Sequence, residues 1–202
     1  MVSAKGSVSI ISENDLVTPQ NSIYILLTKF DTIISKIIAL FTNDKYTHAA
    51  IAFDADLHDV YSFSRKYVNF PLPAGLRTEP LNKGIYKINE QMSCALFRIQ
   101  VDSDSYNRAR HEVKKMMRHR KRFEYNIIGL FLCKLGIAYK RRRHYFCSEF
   151  VATILTDSNA LCLPKVPSLM RPNDYTQMPE LECVYIGELR CLRKYLEGCH
   201  AL

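Results

Sequence analysis

Thr47-His-Ala-Ala-Ile-Ala-Phe53 reads as a strand, and after a polar turn, Asp54 to Asp59, the chain returns as Val60-Tyr-Ser-Phe-Ser64. Two short apolar runs around a polar turn predict a β-hairpin. Working outward, Ile23 to Leu27 reads as another strand. Behind it, Asp31 suits a helix N-cap, followed by a stripe of Ile33, Ile34, Ile37, Ile38 and Phe41. Ala95 to Val101 is a further strand. Tyr106 to Arg120 has the spacing of an amphipathic helix with Ala109, Val113, Met116 and Met117 inward. Ile127 to Ile137 predicts a mostly apolar, buried helix. Cys147, Phe150, Val151, Ile154 and Leu155 recur at i, i+3, i+4, i+7 and i+8, one face of another helix. Cys183 to Ile186 reads as a closing strand before a short charged helix. Strands and helices come in blocks, not in strict alternation, which favours an α+β fold.

The chain has 202 residues, 48% of them hydrophobic and 24% charged, enough apolar material for one core. One domain over 1–202 is expected, its core running from about residue 22 to 190, with short extensions at both ends. The longest apolar stretch, Ile127 to Ala138, is interrupted by Lys134. A bilayer span needs roughly 20 apolar residues, so no transmembrane helix is expected. Met1-Val-Ser-Ala-Lys-Gly6 lacks an apolar signal core, which makes a cytoplasmic location the expectation. Seven cysteines with no Cys-x-x-Cys pair suit neither a disulfide framework nor a zinc site. They read instead as mostly buried, inert thiols in a reducing compartment, and no metal or cofactor is expected. Seven of the eight prolines fall between Pro71 and Pro80 or between Pro164 and Pro179, two stretches read as long loops.

The formal net charge of +8 is concentrated. Asn107 to His144 carries thirteen Lys and Arg against Glu112 and Glu124, and the rest of the chain is slightly acidic. Arg118-His-Arg-Lys-Arg122 and Lys140-Arg-Arg-Arg-His144 are the two clusters. Such a segment suits an anionic surface or substrate, and equally a solvated helix face. No nucleic-acid motif accompanies it.

Cysteine is a useful nucleophile only as thiolate, a form favoured at a helix N-terminus or beside an imidazolium. Cys147 opens its helix, where unpaired N–H groups and the helix dipole favour negative charge and can steady an oxyanion. A buried structural thiol would occupy the same stripe. A catalytic cysteine also needs a base within reach. His48, at the start of its strand, is the best candidate among six histidines, and alanines 50 and 52 on its face leave room for a helix end. His144, three residues before Cys147, is close enough to influence the thiol without being the base.

Tyr46 to Phe53, Val60 to Lys66 and Tyr145-Phe-Cys-Ser-Glu-Phe-Val-Ala152 together resemble the permuted NlpC-type papain-like cysteine peptidases, the YiiX-like branch. In that branch the histidine strand precedes the cysteine helix, as His48 precedes Cys147 here. The run from Ile23 through Phe41 and Pro172-Asn-Asp174 also fit it, and the likeness extends over roughly Ile23 to Leu189. The resemblance implies a circularly permuted papain-like fold, with an antiparallel sheet packed against helices that include the nucleophile helix. It implies Cys147 as nucleophile and His48 as base. A third polar residue usually orients the imidazole from the strand after the histidine strand. Here that strand offers Ser62, with Ser64 further on, and no carboxylate, so either Ser62 is a weak orienter or the orienter lies elsewhere. Glu149 is read as a first-turn acid facing away from the pair. The loop from Pro71 to Gly84 would hang near it.

Two functions follow. One is a thiol hydrolase or acyltransferase acting on an amide, ester or thioester of a small-molecule, peptide or lipid-linked substrate. The other is a non-catalytic module of the same fold that binds anionic lipid or nucleic acid through its basic segment.

Overall fold

The computed structural model describes residues 21–30, 44–65 and 74–199, and within them a six-stranded antiparallel sheet organises the chain. Its strands are β1 (Asn21–Thr28), β2 (His48–Ala52), β3 (Val60–Arg65), β4 (Ala74–Thr78), β5 (Ser93–Val101) and β8 (Glu182–Glu188), in the spatial order β4-β3-β2-β1-β5-β8. A two-stranded parallel ribbon, β6 (Glu124–Tyr125) with β7 (His144–Tyr145), lies outside it. The helices are α1 (Gly84–Ile88), α2 (Ser103–Arg118), α3 (Ile127–Lys134), α4 (Cys147–Asp157) and α5 (Leu189–Cys199). The chain is thus a mixed α+β protein with an antiparallel sheet packed between helices. The helix expected from Asp31 to Phe41 lies outside the described residues.

Both faces of the sheet are covered, which explains why β1 and β2 read as continuous apolar runs. On one face Ile23, Ile25, Leu27, Ala49, Ile51 and Phe63 pack with Val113 of α2 and with Phe150, Val151 and Ile154 of α4. On the other, Tyr24, Leu26, Ala50, Ala52 and Leu96 pack with Tyr86 of α1 and with Leu189 and Leu192 of α5. Each fully buried side chain of this size contributes about 1.5–3 kcal/mol relative to an exposed one, so the alternation of the two sets fixes the register.

Several expectations are corrected. The helix expected over 106–120 starts three residues earlier, at Ser103, because Asp102 caps it by accepting from the Ser105 N–H at 2.8 Å. The stretch expected as a loop from Pro71 to Pro80 contains β4, which pairs with β3 through Ser62↔Arg77 and Phe63↔Leu76. The second proline-rich stretch holds two 3-10 turns, Pro167–Leu169 and Pro172–Gln177. Helix α3 is not buried: Ile127, Ile128, Phe131, Leu135 and Ile137 are 46–61% exposed. Among the described thiols, only half are buried: Cys162, Cys183 and Cys191 are exposed while Cys94, Cys133 and Cys147 are not.

Candidate active site

Pleat and register bring the site residues together. Phe63 and Leu76 point into the α2–α4 face of the sheet, so their neighbours in the pleat, Ser62, Ser64 and Arg77, point to the other. Glu79, two residues beyond Arg77, follows the same parity, as does His48 with Ala50 and Ala52. Glu79 is tied to the end of β3 by its N–H, which donates to the Val60 carbonyl at 2.7 Å. Strands β2 and β3 pair only at Ile51↔Tyr61 and Ala52↔Val60. They are therefore unpaired at the His48 end, and the head of α4 enters there. Contrary to the expectation that Ala50 and Ala52 leave room for that helix, they face α1 and α5, and α4 lies on the Ala49 and Ile51 side. The cysteine instead meets His48 at the strand end, where the Ala49 N–H donates to its sulfur.

His48 is buried, with its Nε2 3.2 Å from Glu79 Oε2, and the ring also hydrogen-bonds the Cys147 thiol. With Nε2 engaged by the carboxylate, Nδ1 is the nitrogen left for the sulfur. Phe30 flanks the imidazole at 4.9 Å between ring centres and stacks on Tyr86 in turn. The Ser62 hydroxyl donates to Glu79 Oε2, the same oxygen that meets His48. Ser62 therefore touches the carboxylate, and Glu79 is the residue that bears directly on the ring.

The electrostatics of the three groups are mutual. Burial opposes the thiolate of Cys147, but the hydrogen bond and charge of His48 outweigh it, helped by the Ala49 and Ser148 N–H groups, and the thiol is held below its ordinary value. Burial likewise opposes an imidazolium at His48, yet contact with Cys147 and then Glu79 pushes its pKa up to about 10. Glu79 is held low against the effect of burial by His48, Ser62 and Ser64. All three directions favour a thiolate–imidazolium–carboxylate array.

Other parts of the chain fix the helix that carries the thiol. The Ser148 hydroxyl donates to the Met170 carbonyl at 2.7 Å, and the Tyr175 hydroxyl donates to the Ser148 carbonyl at 2.9 Å. The segment around Pro172-Asn-Asp174 is thus a brace for the first turn of α4. Glu149 turns away from the thiol and accepts from the Phe146 N–H and from Asn126 Nδ2, both at 3.3 Å. Burial raises its pKa to about 7. Asn126 also caps α3, its Oδ1 accepting from the Gly129 N–H at 2.9 Å. A Cβ at residue 129 would fall inside the Asn126 amide, so any larger residue there would displace the cap. His144 lies against Glu124 at 3.1 Å and the Arg142 carbonyl at 2.8 Å, not against Cys147.

Two site residues escaped the sequence reading. Glu79 sits between Thr78 and Pro80, in a stretch whose prolines masked the strand before it; the signal was the in–out pattern of Leu76, Arg77 and Thr78. Tyr125, in the two-residue strand β6, places its hydroxyl against the Cys147 sulfur and backbone N–H. Burial, and next the sulfur's charge, raise its pKa well above the ordinary value, so the phenol stays protonated and able to donate. No periodic pattern announces so short a strand.

Among the described residues, the clustered metal-type side chains are Asp54, Asp56 and His58 in the β2–β3 turn, with none at Cys147. No helix among the described residues is long and apolar enough to cross a membrane. No protein-family model, no curated protein and no solved structure matches the chain.

Proposed function

We propose that the protein is a cysteine hydrolase or acyltransferase of permuted papain-like architecture, acting on an amide, ester or thioester through Cys147, His48 and Glu79. The observation that carries this reading is the position of the buried His48 ring between a carboxylate and a thiol at a helix head. In papain-like chemistry that order supplies a nucleophile, a proton carrier and an orienter in one line.

The Cys147 thiolate attacks the carbonyl carbon and forms a C–S bond. The developing oxyanion is met by the Tyr125 hydroxyl and by N–H groups at the head of α4. His48 delivers its proton to the leaving amine, alcohol or thiol as that bond to carbon breaks. Water or an acyl acceptor, deprotonated by His48, then displaces the sulfur and restores the thiolate–imidazolium pair. Glu79 holds the ring and its charge throughout, and Ser62 holds Glu79.

The test is mass spectrometry of the protein after brief exposure to an activated ester such as p-nitrophenyl acetate, with iodoacetamide labelling at about pH 6 in parallel. An acyl adduct on Cys147, absent in His48→Ala, and labelling of Cys147 ahead of the exposed Cys162, Cys183 and Cys191 are expected. Equal, slow labelling of all thiols and no adduct would overturn the catalytic reading in favour of a binding module.

A further inference from the structure

Among the helices of the described residues, α3 is strongly apolar, yet it turns its apolar side to solvent. Ile127, Phe131 and Leu135 recur every fourth residue along one side, with Ile128 beside them, and are 46%, 61%, 60% and 55% exposed. The opposite side, Gly129 and Cys133, is the part that packs inward. After the helix, Ile137 extends the exposed apolar strip and is 50% exposed. Three residues on, the chain enters the exposed run Lys140-Arg-Arg-Arg143.

The ribbon β6–β7 adds the second half of the surface. Its strands run parallel with Glu124↔His144 and Tyr125↔Tyr145 in register, and the Glu124 N–H donates to the Arg143 carbonyl at 3.0 Å. Arg120-Lys-Arg122 leads into β6, and Lys140 to Arg143 leads into β7. Parallel pairing therefore delivers both basic runs to the same end of the ribbon, with α3 as the crossover between them. All seven of these cations are exposed, and none forms a salt bridge with an acid among the described residues.

From this arrangement we infer that α3 and the two basic runs form a docking surface for an anionic lipid membrane. An apolar strip that leads into a cluster of Lys and Arg matches the two layers of such a surface: side chains enter the acyl boundary to about 5–10 Å, and the cations meet phosphate headgroups. A nucleic acid would use the cations but leave five large aliphatic and aromatic side chains without a partner, and a protein groove would not call for a cluster of one sign. Asn126 caps α3 and bonds Glu149 of α4, so the docking helix is tied at its N-terminus to the helix that carries Cys147. Docking extends beyond the catalytic reading and does not depend on it.

The experiment is co-sedimentation of the full chain with vesicles of phosphatidylcholine containing about 30 mol% phosphatidylglycerol, against phosphatidylcholine alone. Binding to the anionic vesicles is expected. It should fall by about ten-fold or more in Phe131→Glu and in Ile128→Glu, and to a similar extent in Lys140→Ala/Arg141→Ala/Arg142→Ala or at high salt. Cys147→Ala should bind as the parent does, and Phe131→Glu should keep the iodoacetamide reactivity of Cys147, so that failure of docking and failure of catalysis are separate results. Circular dichroism of the exposed-site variants should match the parent. No binding to anionic vesicles, equal binding by Phe131→Glu, or equal binding to neutral vesicles would overturn the inference. So would an oligonucleotide binding where vesicles do not, or a dimer in sedimentation velocity that Phe131→Glu converts to monomer.

Discussion

Helices α3 and α4 are tied together at their N-terminal ends by Asn126 and Glu149, and treat apolar side chains in opposite ways. In α4 every residue from Cys147 to Leu155 is buried, including Ser148, Glu149 and Thr153. In α3, which carries a single charge, Ile127, Ile128 and Phe131 are exposed. Hydrophobicity alone therefore does not decide burial. Helix α4 lies across β2 and β3 and is enclosed by α2 and by the 167–177 segment, so even its polar groups find partners inside. Helix α3 is a crossover at the rim and meets the body of the protein along one narrow side. The first arrangement is what a precisely held thiol needs; the second leaves a surface for something else.

The sharpest way to break the contrast is at the head of α4. Replacing His48 with Ala should return Cys147 to an ordinary thiol and lower its iodoacetamide rate near pH 6 by roughly two orders of magnitude. An unchanged rate would mean that the helix head alone ionises the sulfur. The core side of the contrast is tested by a matched pair of aromatics. Phe150→Ala should destabilise the protein by about 3–5 kcal/mol in urea unfolding, because Phe150 is fully buried against Phe63. Phe131→Ala, on the exposed helix, should change stability by about 0.5 kcal/mol or less.

Two pH experiments sharpen it further. For ester turnover, the acid limb should lie below the usual thiol range and the alkaline limb near 10, since His48 must stay protonated to serve the leaving group. Cys147 and, after it, Glu79 raise His48, so Glu79→Gln, which removes the second of them, should move the alkaline limb down; no movement would show that Glu79 does not bear on the ring. Glu149 is the subtler case. Its folded-state pKa of about 7 lies above its ordinary 4.5, so folding favours the protonated form. The stability that this group contributes is present below about pH 4.5 and is lost as pH rises to about 7. Glu149→Gln, which can still accept from the Phe146 N–H, should abolish that part of the slope in urea unfolding measured across the window. A parent and variant with parallel pH profiles would mean that Glu149 titrates normally.

Much of the fold was legible because periodicity and burial coincide in it. The hairpin of β2 and β3, the stripe of α4 and strands β1 and β5 all have apolar patterns that only one packing satisfies. Cys147 and His48 were legible for a chemical reason: one opens a helix and the other starts a strand, and the pair has the residue types of a nucleophile and its base. Glu79 was not, because its strand is five residues long and bounded by prolines, and its role comes from pairing with β3 rather than from its own neighbours. Ser62, read as a weak orienter of the imidazole, instead donates its hydroxyl to the carboxylate that meets the ring. Tyr125 was invisible for a similar reason, since a parallel two-residue ribbon leaves no period in the sequence.

The sequence by itself determined the α+β class, the strand with His48, the helix headed by Cys147 and the concentration of positive charge between residues 107 and 144. Those are local properties, set by side-chain periodicity and by counting. Only the tertiary structure decided which carboxylate faces His48, how the thiol enters between two strands that part, and on which side α3 turns its apolar residues. Each of these depends on register between segments far apart in the chain, and register is fixed by the whole packed sheet rather than by any window of residues.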